Sequence, residues 1–311
     1  MGFVVAKRVL AGIPTLLGVT IILFITLRLL PGDPLAVLLA GAPATPEVVA
    51  NLEAKFGLDK PLTQQYWDFL RNALMLDLGS SYGSRQPVSR MIADNIGPTL
   101  QLALAAAAIS AVTGIVLGSL AAIRRNGIID GIARALSLVN TSMPSFWVGL
   151  LLIMFFSFQL GWFPATGSGN LRSLVLPALT LGLTAAGTVT RLVRNSVIEV
   201  LGENFVTALH AKGLRSRVVV MKHVLRNAVI PTVTIVGLQI GGLVAGAVIV
   251  ETVFTRQGIG QMLVLAIGGK DYPVIQGVVL VIAVIYIAIN IIVDVSYAYI
   301  DPRVRSALAK A

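Results

Sequence analysis

The side chains able to do chemistry in this chain are few, and they argue against an enzyme. Both histidines, His210 and His223, fall in one basic segment, and none of the 311 residues is cysteine. Without cysteine the chain has neither a thiol nucleophile nor a Cys-ligated metal site. The glycine-rich sequence that cradles nucleotide phosphates, G-x-x-x-x-G-K-[ST], does not occur. We therefore predict no catalytic residue, no metal site and no bound cofactor in this chain.

A second group of polar residues interrupts long apolar stretches. Asn140 and Ser142 lie in one such stretch, whereas Gln239 and Glu251 flank a glycine-rich part of another. A polar solute that crosses a membrane needs polar groups inside the protein, because unsatisfied groups facing lipid are costly. These four residues are therefore the candidate translocation path. The alternative is structural, because hydroxyl groups in membrane helices often bond their own backbone.

The third group lies in the basic segment 195–226. Glu203 to Lys212 are predicted to form a short helix, with Ala208, Ala211 and Lys212 on one side and Gly213 as its C-cap. A second helix, 217–227, follows. Two short helices joined at a glycine suit a rigid knob that fits a groove on a cytoplasmic partner. A basic loop that only anchors to anionic lipid suits the same composition, so both interpretations stay open on physical grounds.

The elements that position these residues belong to a membrane protein. The chain is 56% hydrophobic and 12% charged, whereas a soluble domain has about 25% charged residues. A membrane-spanning helix needs about 20 apolar residues. We predict an all-α, polytopic fold over the single domain 1–311, with six transmembrane helices near 9–30, 96–123, 135–161, 173–194, 227–250 and 272–299. The apolar stretch 257–269 is too short to span and is predicted to be external or re-entrant.

The basic residues orient these spans. Lysine and arginine are concentrated near both termini and in the segments 124–134 and 191–226, whereas the short opposite loops hold only Arg172, Arg256 and Lys270. Because cytoplasmic loops carry the excess of basic residues, we predict that both termini are cytoplasmic and that 31–95 is external. The net charge of +10 is thus a topology signal, and nucleic acid is not an expected partner.

The external segment 31–95 is predicted to be helical. Thr45 is an N-cap, Pro46 and Glu47 suit the first turn, and Gly57 ends this helix. A second helix after Pro61 places the apolar residues Tyr66, Phe69, Leu70 and Ala73 on one face. The segment is either a docking surface for an external partner or a cap that packs on the membrane helices.

Residues 207–213, Thr-Ala-Leu-His-Ala-Lys-Gly, and the stretch from His223 to Pro231 resemble the "EAA" loop of bacterial ABC-importer permeases. Thr207 stands where the general pattern has glutamate, and Leu209 where it has alanine. This variant resembles the branch that transports dipeptides, oligopeptides, glutathione and nickel. The other stretches similar to that branch are Leu30-Pro31-Gly32-Asp33-Pro34, Leu58–Leu62, Asp77–Tyr82, Pro144–Trp147, Asp271–Val274, Asn290–Asp294 and Asp301–Arg303.

The resemblance implies the first of two permeases in an ATP-driven importer for peptides or similar small solutes, in the bacterial inner membrane. It implies a second homologous permease, two ATP-binding-cassette ATPase subunits that bind ATP and Mg²⁺, and an external solute-binding protein. The two permeases would form an alternating-access pathway through the lipid bilayer. The ATPase-coupling residues would be Thr207, Ala208, Ala211, Lys212 and Gly213.

The alternative function is an ion-coupled secondary transporter. Such proteins use carboxylates within the membrane as ion or proton relays. Here Glu251 and Asp294 lie at the ends of predicted spans, and the centres of all six spans are uncharged. The distribution of charge therefore favours the ATP-driven importer.

Overall fold

The computed structural model describes residues 2–29, 39 and 45–300, and most of them are helical. The described part contains no β-strand, only an isolated bridge between Ser80 and Pro87. The predicted all-α fold is therefore confirmed. The stretches Leu30–Pro34 and Asp301–Arg303, which carried part of the family resemblance, lie outside the described residues, as does most of the external segment before Thr45.

Thirteen helices are numbered along the described residues. They are α1 (Gly2–Leu29), α2 (Pro46–Phe56), α3 (Leu62–Leu74), α4 (Val88–Ile123), α5 (Ile128–Ser142), α6 (Ser145–Leu152, continued by the π-helix Ile153–Gln159), α7 (Leu171–Leu201), α8 (Asn204–Ala211), α9 (Ser216–Val218, continued by the π-helix Val219–Val224), α10 (Leu225–Ala228), α11 (Ile230–Val253), α12 (Ile259–Gly268) and α13 (Tyr272–Ile300).

Five described helices, α1, α4, α7, α11 and α13, are long and apolar enough to cross a membrane. The third predicted span, 135–161, is instead two helices, α5 and α6, bent by 109° relative to each other. Pro144 has no N–H to donate, and it forces the preceding Met143 into an extended conformation with ψ 131°. The pair α5–α6 is thus a broken span or a re-entrant loop.

The spans extend further than their apolar stretches. Helix α4 begins at Val88 rather than at residue 96, and α7 covers Leu171–Leu201 rather than 173–194. Asn170 caps α7 by accepting the Ser173 N–H at 2.8 Å. Helical turns beyond the lipid tolerate charged side chains, so counting apolar residues finds only the central part of each helix.

The two helices predicted between residues 45 and 74 both form. The Thr45 hydroxyl accepts the Val48 N–H at 3.4 Å and caps α2, which ends at Gly57. In α3 the Tyr66 ring packs edge-on against Phe24 of α1, with the ring centroids 5.3 Å apart. The Tyr66 hydroxyl also lies 3.0 Å from the Thr20 hydroxyl. Helix α3 therefore packs on α1, as the cap interpretation of this segment predicts.

The helices form two compact units. One consists of Met1–Thr99 and Gln257–Ala288, and the other of Leu100–Arg256 and Ile289–Ala311. Helices α4 and α13 each run from one unit into the other. Neither unit is a continuous stretch of chain, and the single domain proposed over 1–311 stays a prediction.

Helix α7 is the most enclosed of the five long helices, because small residues let its neighbours come close. A Cβ atom on Gly118 of α4 would lie 2.6 Å from the Thr190 carbonyl oxygen of α7. On another side, a Cβ on Gly187 of α7 would lie 2.6 Å from the Ser137 carbonyl oxygen of α5. Glycine at these positions allows the helix backbones to touch, as is common between membrane helices.

Candidate functional site

Helix α8 is a short, sharply ended helix within the basic segment. It follows α7 after only two residues and runs from Asn204 to Ala211. The Gly213 N–H donates to the His210 carbonyl at 2.9 Å, and the Leu214 N–H donates to the Leu209 carbonyl at 3.3 Å. This is the Schellman arrangement, which needs a left-handed residue, and Gly213 has φ 80°. The predicted C-cap is confirmed, and it fixes where the chain turns away from α8.

The inner face of α8 belongs to a core shared with its neighbours. Val206 is buried, and Phe205 and Leu209 are half-buried beside it. They pack on a cluster of valines from the end of α7 and from the π-helix after α9: Val193, Val197, Val219 and Val224. Helix α8 and the end of α7 therefore share one apolar, close-packed core.

The exposed side of α8 and the cap that follows it hold the five predicted coupling residues. The structure leaves Thr207, Ala208, Ala211, Lys212 and Gly213 all exposed. Apart from Lys212, their side chains are small and uncharged. The structure thus brings the predicted residues together on one surface above a rigid core.

A partly buried ion pair joins α5 to α7. Arg194 donates from Nε to one Asp130 carboxylate oxygen at 2.6 Å and from Nη2 to the other at 2.8 Å. The Asp130 side chain is completely buried, and it also accepts the Asn126 N–H at 3.0 Å. Arg134 is more distant, with its Nε 3.6 Å from the same carboxylate and its side chain 57% exposed. Two parallel hydrogen bonds fix the relative orientation of the two helices.

The candidate path residues occupy three separate places. Asn140 is half-buried and Ser142 exposed, both at the end of α5 next to the break. The neighbouring Thr141 hydroxyl donates to its own helix, at 2.7 Å from the Ser137 carbonyl. A hydroxyl bonded to its own helix backbone is what the structural interpretation of these residues predicts. Gln239 is half-buried in the middle of α11. Its side chain makes two long hydrogen bonds of 3.5 Å: Oε1 accepts from the Ser110 hydroxyl, and Nε2 donates to the Ala185 carbonyl.

Glu251 is completely buried at the end of α11. Arg256 follows in the next loop and is also buried; it donates from Nη2 to Gln101 at 3.0 Å. Burial lowers the pKa of the Arg256 guanidinium, and the negative charge of Glu251 opposes that shift. Glu251 thus has a cationic neighbour that the sequence pattern did not indicate.

In the unit that contains the external helices, two stretches of the family resemblance meet. Asp271 accepts the Ser81 hydroxyl at 2.5 Å and the Tyr82 N–H at 3.0 Å. Burial, reinforced by the Asp271 charge, raises the pKa of Tyr82 to about 12. Asp271 therefore links the loop before α4 to the start of α13. These contacts give Ser81 and Asp271 a structural role in the fold.

The outer face of α3 and the turn after it expose apolar side chains. Trp67 is 64% exposed, and Leu74, Met75 and Leu76 are exposed to a similar or greater extent. Contiguous apolar residues on a surface commonly mark a site of protein or membrane contact. Helix α3 therefore packs on α1 with one face and exposes apolar side chains on another.

Sequence reasoning missed Asp130, Arg194 and Arg256 as members of interacting pairs. The one available signal was that Asp130 is an isolated acid between arginines at the start of a helix. Its partner lies 64 residues away, and neither helical periodicity nor charge spacing predicts contacts over that distance.

The sequence matches two family models. Residues 114–306 match the "binding-protein-dependent transport system inner membrane component" family. Residues 1–103 match the N-terminal model of the same type of transport system membrane component. Together the two matches cover nearly the whole chain, including the α8 segment and the external helices.

Relatives match over full length. The glutathione transport system permease protein GsiC of Pectobacterium atrosepticum is 44% identical over 299 residues, which are 96% of this chain and 97% of that protein. The GsiC proteins of Salmonella choleraesuis and Escherichia coli are 42% and 41% identical over 301 residues, covering 97% of this chain and 98% of each relative.

Two solved structures share the fold. An inward-facing form of the MetNI methionine ABC transporter aligns with a TM-score of 0.58 at 19% identity, covering 68% of this chain and 96% of that one. An amino acid ABC transporter with histidines aligns with a TM-score of 0.51 at 16% identity, covering 69% and 94%. With the family match and the full-length relatives, they place this chain among the binding-protein-dependent transport system inner membrane components, as a non-catalytic, multi-pass permease subunit of an ABC importer.

Proposed function

We propose that the exposed face of α8 is the seat of an ATPase subunit, and that its displacement drives alternating access of the permease. The observation that carries the proposal is the division of α8 into a smooth outer face, closed by Gly213, and an inner face sharing a core with α7. In this assembly the chain pairs with a second homologous permease, and two ATPases bind the ATP and Mg²⁺. Membership in an ATP-driven family removes the ion-coupled secondary transporter from consideration.

Nucleotide shifts such a system only if it favours one state over the other. Closure of the two ATPases on ATP would displace α8, and the shared valine core would pass that displacement to α7. The outward-open state would then be stabilised by ATP and lost on hydrolysis. The residues named for the path, Asn140, Ser142, Gln239 and Glu251, would be exposed alternately to the two sides.

The test enlarges one residue of the docking face. We expect Ala211→Trp to clash with the ATPase groove and to lower nucleotide-dependent transport at least tenfold, which is about 1.4 kcal/mol. The matched control is Met221→Trp, because Met221 is 67% exposed on the adjacent π-helix and outside the proposed face. The measurements are uptake in proteoliposomes and co-purification of the ATPases. Because the chain has no cysteine, Ala211→Cys should also form a crosslink to a cysteine placed in the ATPase groove.

Normal transport by Ala211→Trp would contradict the docking role. The lipid-anchor alternative makes a different prediction: neutralising Arg215 and Arg217, both exposed after the α8 cap, would abolish activity, whereas Ala211→Trp would not. Both sets of variants are therefore measured in vesicles with and without anionic lipid.

We further propose that an external solute-binding protein docks on the exposed face of α3. The family description names a binding-protein-dependent system, and Trp67 with Leu74 to Leu76 offers an apolar surface on the segment predicted to be external. Large aromatic side chains are common anchors at such interfaces. Both termini would then lie in the cytoplasm, on the same side as α8.

The proposed cargo is a small peptide, of which glutathione is the member that the relatives' names indicate. The external binding protein is expected to do most of the selecting. Titrating the binding protein encoded beside this gene with glutathione and with dipeptides tests the assignment, since a binding protein that ignores both would overturn it.

A further inference from the structure

The Asp130–Arg194 pair connects α7, which leads to α8, with α5, the first helix of the bent pair α5–α6. Arg194 is on α7, one residue from Val193 and three from Val197, both part of the core that α8 shares. Asp130 is in the first turn of α5, whose other end is the break at Met143–Pro144. The pair is thus a polar connection between α7, which continues into α8, and α5, which ends at the break.

We propose that Asp130 and Arg194 are positioning residues that make α5 follow α8, so that the break after Ser142 moves when the ATPases displace α8. This inference rests on the coupling role proposed for α8. Along α5, the Gly187–Ser137 backbone contact lies about two turns beyond the pair. Helices α5 and α7 are therefore held at two points, which lets them move as one body.

The chemistry of the pair suits transmission better than stability alone. A buried ion pair is weak support for stability, because apolar side chains of similar volume often serve as well. A bidentate pair, however, fixes both distance and angle. Asp130 also accepts the Asn126 N–H, so the same carboxylate holds the turn that links α4 to α5.

The experiment uses the complete importer in proteoliposomes with its binding protein and cargo. Asp130→Asn keeps the shape of the side chain and removes its charge, and Arg194→Lys keeps the charge and removes the two-pronged geometry. The matched control is Arg134→Gln, whose parent side chain approaches the same carboxylate at 3.6 Å but is 57% exposed. The exchanged pair, Asp130→Arg with Arg194→Asp, tests whether an ion pair between the two positions is enough.

Two quantities are measured for each variant. The first is cargo transported per ATP hydrolysed, which a merely structural role would leave unchanged in the assembled complex. The second is the distance between spin labels at Ile128→Cys on α5 and Met221→Cys beside α8, with and without ATP; both parent residues are exposed, at 83% and 67%.

We expect Asp130→Asn and Arg194→Lys to assemble with the ATPases and to hydrolyse ATP, but to transport roughly five- to tenfold less cargo per ATP, which is within the usual range of coupling between sites. The label distance should be insensitive to ATP in the wild type and should change with ATP in these variants. Arg134→Gln should behave as wild type, and the exchanged pair should recover part of the wild-type amount of cargo transported per ATP.

An unchanged ratio in both single variants overturns the proposal, and so does loss of assembly in both, because the pair would then only build the fold. Because an arginine at position 130 cannot accept the Asn126 N–H, recovery by the exchanged pair supports transmission through the bond, whereas the two single variants decide whether the proposal stands. Failure of the coupling role itself appears elsewhere, as normal transport by Ala211→Trp, so the two failures are distinguishable.

Discussion

At the scale of single residues, burial decides what a charge can do. Glu251 is completely buried at one end of α11, with Arg256 buried in the following loop. A carboxylate removed from water is tolerated when a cation compensates it, and the Glu251 charge opposes the lowering of the Arg256 pKa by burial. A neutral residue at position 251 would leave the Arg256 charge buried without it.

We therefore expect Glu251→Gln to lower transport without lowering assembly with the ATPases, and to weaken the stimulation of ATP hydrolysis by the loaded binding protein. The measurements are uptake and cargo-stimulated ATPase activity in proteoliposomes. Thr252→Ala is the control, because the Thr252 hydroxyl only donates to its own helix, to the Val248 carbonyl at 2.8 Å. Wild-type uptake with unchanged stimulation of ATP hydrolysis would show that Glu251 has a structural role only.

At the scale of the elements, α7 is the helix against which α4, α5 and α8 pack. Its backbone is in contact with α4 at Gly118 and with α5 at Gly187, and its last turns share a core with α8. Such contacts leave no room for an added methyl group, so small residues at these points are a packing requirement.

Gly118→Ala provides the test. The new Cβ would lie 2.6 Å from the Thr190 carbonyl oxygen, and relieving that overlap should cost about 1–3 kcal/mol. We expect a lower unfolding temperature for the purified permease in detergent. Gly242→Ala on α11 is the matched control, since a Cβ there meets nothing within 4 Å and alanine favours a helix. Equal unfolding temperatures for the two variants would contradict the close α4–α7 contact.

At the scale of the whole molecule, orientation in the membrane follows from the distribution of basic residues. The segments 191–226 and 124–134 are arginine-rich, which favours the cytoplasmic side. The loop around Ser84 and the turn around Ser216 are predicted to face opposite sides, and both residues are exposed in the structure.

Single cysteines can therefore report the orientation, because the native chain has none. We expect Ser84→Cys to react with an impermeant thiol reagent from the outside, and Ser216→Cys to react only after the membrane has been opened. The unsubstituted chain gives the background. The reverse pattern would overturn the orientation and place α8 away from the ATPases.

Several features could be derived from the sequence because their physical causes are local. The Thr45 cap and the Gly213 cap each depend on hydrogen bonds between residues a few positions apart, and the composition of each apolar stretch is enough to predict a membrane helix. For the same reason the helical spacing of Ala208, Ala211 and Lys212 predicted a common face, and the family resemblance could be stated before any contact was known.

Tertiary structure alone decided how those elements meet. The sequence predicted one span over 135–161, whereas in the structure α5 and α6 meet at a 109° bend beside Pro144, which depends on how the neighbouring helices pack. Asp130 meets Arg194 across 64 residues, and Ser81 meets Asp271 across 190. A helix determines which side chains share a face over three or four positions, whereas contacts between distant helices depend on which faces the whole chain can bury together.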